Sequence, residues 1–355
     1  MSNPHSRETS GSPHLSQDYM ETPLVVTWEC TQACGLTCDH CRADAQPDRH
    51  ADELTTAEGK QLIDTVTDFG SPSPILVFSG GDPLERPDLF ELLEYAHTAG
   101  LRTAVAPAPT ERLKRDVLER LADTGVHQIA LSLDGATAKR HDEFRGESGS
   151  FATVKRAAEY ANSIDLRVQI NTTVTQRTLN DLPGIADLVA DFDAVMWEVF
   201  FLVPIGRGAD LEQISPLEAE RTLEWLYRRQ KEEDFRLITV EAPHYRRVAQ
   251  ACTDSDERPK VGSTGDGNGF VFIGHTGDIF PSGFLLIPAG NVRTENLVEV
   301  YQEGAIFQFL RKPNTFTGRC GECQYRSECG GSRARAYAAC GSPFASDPLC
   351  IYTEQ

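Results

Sequence analysis

The chain has 355 residues, of which 53 are acidic and 34 basic, for a formal charge of −19. A surface this acidic repels phosphate backbones, which argues against nucleic acid as the main partner and leaves solubility in a salty cytoplasm as the plain reading. No apolar run is long enough to span a bilayer, and the opening "MSNPHSRETSGSPHLSQDYMETP" lacks the apolar stretch of a secretion signal. Residues 1–22 are therefore expected to be a flexible leader, and the protein cytoplasmic with no membrane span.

Residues 23–29, "PLVVTWE", read as a buried strand. "TTAEGKQLIDTVTDFG" then has helical periodicity, with Thr55 or Thr56 as N-cap. "PILVFSGGDP" is a strand running into a glycine turn. The helix "RPDLFELLEYAHTAG", closed by Gly100, precedes the strand "LRTAVAP". The helix "TERLKRDVLERLADTG" precedes the strand "VHQIALSLDG", and "GSFATVKRAAEYANSI" precedes "DLRVQINTTVT". The helix "LNDLPGIADLVADF" and the strand "AVMWEVFFLVP" complete six strands, the first five each followed by a helix. Such alternation predicts a parallel sheet with right-handed crossovers, covered on both faces. The fold class is α/β, a partial (β/α)6 TIM-type barrel over 23–235 with a small C-terminal Cys-rich module. Barrel chemistry sits on loops leaving the C-terminal strand ends, and every unusual motif of this half occupies such a loop.

A long helix, "PLEAERTLEWLYRRQKEEDF", is next, and then a polar stretch, 252–269, expected to be a mobile loop. "FVFIGHTGDIFPSGF" reads as a hairpin turning at Thr276-Gly277, inside a linking region, 236–311. From 312 to 355 the chain is rich in Cys, Gly and Arg, as a metal-stapled module would be.

Ten cysteines in a chain without a secretion signal argue against disulfides. They cluster at 30–41 and 320–350, with Cys252 alone between, which points to two metal sites. In "WECTQACGLTCDHCRADAQ", Cys34, Cys38 and Cys41 are spaced C-x3-C-x2-C. Zinc takes four ligands, often from paired knuckles. Three thiolates can instead hold three irons of a [4Fe–4S] cube and leave the fourth open to an outside ligand. With "SGGDP" after the second strand, the sequence here resembles the radical S-adenosylmethionine (SAM) superfamily. The resemblance implies that the open iron chelates SAM and that one electron, from a low-potential donor such as ferredoxin, cleaves it to a 5′-deoxyadenosyl radical.

Gly80 and Gly81, before Asp82, let backbone approach a ligand where a Cβ would clash; the resemblance gives this turn to the methionine amino group. Ser132 and Asp134 alternate in "SLDG", so both can face the barrel mouth. By resemblance Ser132 contacts SAM, Arg145 of "EFRG" clamps its carboxylate, and Asn171 reaches its ribose or adenine. A satisfied structural polar group is the rival reading of each. Cys30 is expected to be a buried thiol rather than a ligand, and His40 a ring packed near the cluster.

The second group, Cys320, Cys323, Cys329 and Cys350, forms C-x2-C-x5-C-x20-C. Four thiolates close the shell of either an iron–sulfur cluster or zinc, and Cys340 is left as a spare, buried thiol. This arrangement resembles the SPASM/twitch extensions of radical SAM enzymes, which implies an auxiliary [4Fe–4S] cluster. Members with two auxiliary clusters place a cysteine where "GDIFPSGF" has Ser282, so one is expected here.

"WECTQACGLTCDHCRA" with "CGGSRARAYA" and "DPLC" further resembles the SPASM-type branch of the alternative heme and heme d1 pathways. That implies a small-molecule substrate, an iron-porphyrin or related tetrapyrrole, losing carbon dioxide or acetate from a side chain. Arg207, Arg246, Arg247, Arg333 and Arg335 are candidate clamps for its carboxylates, against the rival reading of surface ion pairs. His244 or Tyr245 is a candidate to approach a substrate iron or relay a proton. Two further readings stand beside this one: a maturase of a ribosomal peptide, and a non-catalytic metal or heme carrier.

Overall fold

The computed structural model describes residues 18–253 and 264–352. Strand β1 (Val25–Thr31) turns Val26, Trp28 and Cys30 onto one fully buried face, as the two-residue period of a strand requires. Helix α1 (Thr56–Thr67) covers that face. A capping box starts it: the Thr55 hydroxyl accepts the Glu58 N–H while the Glu58 carboxylate accepts the Thr55 N–H. Gly59 has no side chain because the Trp28 ring occupies its place.

The alternation then continues through β2 (Ile75–Gly80), α2 (Leu89–Thr98), β3 (Arg102–Val105), α3 (Arg115–Asp123) and β4 (Gln128–Ser132). Helices α4 (Ala138–Arg145) and α5 (Ser150–Ser163) lead to β5 (Arg167–Val174), α6 (Leu182–Asp191) and β6 (Met196–Phe201). Strands β1 to β6 pair in parallel, each with the next in sequence. The α/β partial barrel predicted from the sequence is thus present, with its strand ends gathered at one mouth.

The sheet is larger than the sequence predicted. After α7 (Pro216–Gln230), β7 (Arg236–Val240) pairs in parallel with β6. Beyond α8 (His244–Ala251), β8 (Phe270–Ile273) pairs in parallel with β1, and β9 (Asp278–Phe280) and β10 (Gly290–Asn291) complete ten strands in antiparallel fashion. The expected hairpin therefore extends the barrel sheet beyond β1. Strand β7 escaped notice because "RLITV" has a single buried residue, Leu237. Helices α4 and α8 escaped because "AKRHDEFR" and "HYRRVAQA" bury charged or aromatic side chains rather than an aliphatic stripe.

Residues 1–17 of the expected leader and 254–263 of the expected loop lie outside the described residues. Residues 18–22 are tied to α9 (Leu297–Glu303) and to the residue that ends α10 (Ala305–Leu310): the Met20 carbonyl accepts from Arg311 at 3.0 Å and the Glu21 carbonyl from Gln302 at 3.0 Å. No described helix is long and apolar enough to cross a membrane.

The C-terminal segment carries α11 (Gly318–Glu322) and α12 (Arg333–Cys340) and is docked on the barrel by one fully buried guanidinium. Arg335 pairs with Asp347 at 3.0 Å and donates to the carbonyls of Phe201 (3.1 Å), Leu202 (3.2 Å) and Glu241 (2.8 Å). Breaking a buried pair from one side leaves a charge uncompensated. Arg335→Met is expected to cost about 3–5 kcal/mol in denaturant unfolding. A loss under about 1 kcal/mol, the scale of an exposed pair, would show that this contact does not hold the segment.

Candidate functional site

The loop after β1 is shaped by backbone contacts from three sides. Gly81 N–H donates to Thr31 O at 2.8 Å and Asp82 N–H to Ala33 O at 2.7 Å. Cys34 N–H donates to Gln46 O at 2.8 Å, and Arg207 N–H, after β6, to Cys41 O at 3.0 Å. A Cβ on Gly80 would collide with Thr31 O, and one on Gly81 with Ala33 O. The two glycines thus admit the cysteine loop's own backbone, a nearer demand than the ligand approach expected of them. Asp82 is likewise engaged by the fold, accepting from Leu84 N–H (3.1 Å), Ala108 N–H (3.2 Å) and the Thr110 hydroxyl (3.1 Å). Burial pushes its carboxyl up to about 6.

Cys34 and Cys38 are buried with Leu36 and Ala45 in a small apolar cluster against which Cys41 packs. Donors face all three sulfurs. Leu36 N–H reaches Cys34 Sγ at 3.4 Å, Ala45 N–H reaches Cys41 Sγ at 3.5 Å, and Arg145 Nη1 reaches Cys38 Sγ at 3.6 Å. Such donors suit thiolates better than thiols, as sulfur ligands of a metal centre require. Burial pushes the Cys34 thiol up to about 12, so a metal ligated there would have to displace its proton. Cys30 faces the opposite side of β1, inside the main core. His40 stacks on Phe144 at 4.7 Å between ring centroids.

Arg145, at the end of α4, pairs with Asp134 at 2.7 Å, and both are buried. Burial alone would raise the Asp134 carboxyl, but the guanidinium outweighs it and holds it below the usual range. Asp134 also accepts Thr173 N–H at 2.7 Å, so it props β5 and aims Arg145 at Cys38. Arg145 Nε is buried without a partner, a donor still available beside the thiols. Ser132 and Asn171 are register partners on β4 and β5, half-buried and one layer below the mouth.

That layer holds a residue the sequence reading missed. Glu198 on β6 is the register partner of Asn171, and burial pushes its carboxyl up to about 7. Gln169 links it to the layer, donating to Asn171 Oδ1 at 2.7 Å and accepting from Gln128 at 2.6 Å. A lone acid in "MWEVFF" was the available signal. Glu29 of β1 was also missed; it is buried against Arg42 at 3.0 Å and His275 at 2.6 Å.

The second cysteine group shares one cavity. Cys320, Cys323, Cys329 and Cys350 line one cavity of about 250 Å³, far more room than a single ion needs. Asp347 N–H reaches Cys320 Sγ at 3.4 Å, Arg333 reaches the same sulfur at 3.5 Å, and Tyr325 N–H reaches Cys323 Sγ at 3.4 Å. Among the described residues, no three Cys, His, Asp or Glu side chains converge as the shell of a single metal ion. Cys340 is exposed at the end of α12, not buried as expected, because that helix turns Arg333 to Ala336 inward. Ser282 caps its own turn, accepting from Phe284 and Leu285 N–H.

The expected carboxylate clamps are engaged within the protein. Arg207 binds the carbonyls of Cys38 (3.0 Å) and Ala45 (3.2 Å), and Arg246 binds that of Glu328 (2.9 Å). Arg247 grips Glu220, and Arg333 the carbonyls of Pro343 (2.9 Å) and Ala345 (2.7 Å). With Arg335 already committed to docking, Arg207, Arg246, Arg333 and Arg335 brace the two cysteine segments, while Arg247 lines the four-cysteine cavity from α8. Tyr245 packs against Tyr227 of α7. His244 lines the four-cysteine cavity, and burial holds its imidazole down to about 4.

The model of the radical SAM superfamily matches residues 28–189. The AdoMet-dependent heme synthase of Methanosarcina barkeri is 40% identical, over 93% of this chain and 97% of its own length. That of Nitratidesulfovibrio vulgaris is 38% identical over 97% and 96%. In fold, the chain is similar to Streptococcus suis SuiB bound to S-adenosylmethionine, with a TM-score of 0.75 at 19% identity over 94% of this chain and 78% of that one. With a three-thiol loop at the mouth of a partial barrel and relatives this close along nearly its whole length, the chain belongs to the radical SAM superfamily and is an enzyme of it, a membership that implies a [4Fe–4S] cluster and SAM.

Proposed function

We propose that this enzyme is a SAM-dependent heme synthase that converts propionate side chains of an iron-porphyrin into vinyl groups. The observation that supports this most is the 40% identity, over 93% of the chain, to a relative bearing that name. Cys34, Cys38 and Cys41 are the proposed ligands of the SAM-binding cluster, and Cys320, Cys323, Cys329 and Cys350 those of an auxiliary one. When bound, the first cluster and SAM supply a 5′-deoxyadenosyl radical by one-electron cleavage.

The protein's part is placement. Gly80 and Gly81 fix the cysteine loop, Arg145 offers its free Nε beside Cys38, and Ser132 and Asn171 present polar groups one layer below. Taking a hydrogen atom from the propionate β-carbon, and then carbon dioxide, leaves a vinyl group and one surplus electron. The four-thiol cavity is the proposed destination of that electron, a role zinc cannot fill. A low-potential donor such as ferredoxin, in the cytoplasm, would supply the electron for SAM cleavage.

The test is anaerobic reconstitution with iron, sulfide, SAM and dithionite, with iron-coproporphyrin as substrate. The expected result is 5′-deoxyadenosine in step with a porphyrin that has lost carbon dioxide and two hydrogens per vinyl formed. SAM cleavage indifferent to every tetrapyrrole would refute the substrate class. Cys38→Ala is expected to reduce 5′-deoxyadenosine to background. Cys323→Ala should keep SAM cleavage while vinyl formation stalls; undiminished vinyl product from that variant would remove the auxiliary centre from the reaction.

A further inference from the structure

We infer that His244 is a positioning residue of the auxiliary centre, giving an imidazole N–H to a sulfur of the cluster held by Cys320, Cys323, Cys329 and Cys350 and thereby raising that cluster's potential. The inference rests on reading this cavity as an iron–sulfur site. His244 opens α8, is 2% exposed and lines the cavity. Its Nε2 is buried without a hydrogen-bond partner.

Asp347 Oδ2 lies 3.4 Å from that nitrogen and already takes Ser332 N–H at 2.7 Å and Arg335 Nη1 at 3.0 Å. The other oxygen of Asp347 takes Leu349 N–H at 2.9 Å. A buried polar group with no partner carries a free-energy cost that nothing in the protein offsets. Other donors in the walls already reach sulfur: Asp347 N–H and Arg333 at Cys320, and Tyr325 N–H at Cys323. Arg247 also lines the cavity, with both terminal nitrogens committed to Glu220. His244 is thus a cavity-lining donor still in need of an acceptor.

Four cysteines complete the iron shell, so the imidazole has no iron to ligate and its role is that of a donor. A cluster becomes more negative on reduction, and an N–H directed at its sulfur favours the reduced form. That is the direction required of a centre that must accept one electron from the substrate side chain. No bond to His244 forms or breaks.

The test uses the full reconstituted chain. EPR-monitored redox titration of the auxiliary cluster is expected to give a more negative potential in His244→Phe than in the wild type, and an intermediate one in His244→Gln, which keeps an N–H. Pulsed EPR of the wild type labelled with 15N-histidine in deuterium oxide should show an exchangeable deuteron and an imidazole nitrogen coupled to the reduced auxiliary cluster. That measurement stands even if the phenylalanine variant fails to assemble. A second cluster with neither coupling, or with a potential unmoved in both variants, would overturn the role of His244 and leave the proposed function intact. Iron and sulfide analysis showing a single cluster would overturn the auxiliary reading and this inference together.

Discussion

The cysteine loop lies against the backbone at the end of β2 at a separation that no side chain permits. Gly80 and Gly81 leave out the atoms that would collide with Thr31 O and Ala33 O, and the peptide N–H groups of Gly81 and Asp82 bond those same carbonyls. From this close approach follows the rest of the first centre. The loop is bent back so that Cys34 and Cys38 turn inward, Arg145 can reach Cys38, and the segment after β6 can close over Cys41. A buried, close-packed arrangement of this kind does not stretch to admit one extra carbon.

The two cysteine centres share a scaffold. Asp347 gives its N–H to Cys320 and takes Arg335 and Ser332 on its carboxylate, while Arg335 bonds the carbonyls at the end of β6. The segment after β6 also carries Arg207, which bonds the Cys38 and Ala45 carbonyls of the first cysteine loop. Strand β6 and the segment after it therefore touch both cysteine segments. Buried ion pairs contribute little net stability when intact; Arg335 and Asp347 pair within the C-terminal segment, and its placement on the barrel comes from the guanidinium's bonds to the carbonyls of Phe201, Leu202 and Glu241.

The arginines show where sequence reasoning falls short. In a chain with a formal charge of −19, a cationic side chain near a motif reads naturally as a carboxylate clamp. Folding gives Arg207, Arg333 and Arg335 nearer acceptors, the carbonyls of loops that have no regular secondary structure to satisfy them. Irregular backbone around a metal site must find donors somewhere, and long guanidinium arms provide several at once. The link of Gln128, Gln169 and Glu198 to Asn171 was hidden for the opposite reason: these residues come from three strands and become neighbours only through the sheet register.

The sequence by itself determined the alternation of strands and helices over the first six strands, because hydrophobic period and capping are local properties. It also determined both cysteine groups, since C-x3-C-x2-C and C-x2-C-x5-C-x20-C are spacings along one chain. Only the tertiary structure decided that the hairpin joins the barrel at β1, that Cys340 stays outside, and that His244 enters the four-cysteine cavity. Those outcomes depend on which distant groups compete for the same acceptor or the same buried space. That competition is settled by packing in three dimensions, and a linear pattern carries no record of it.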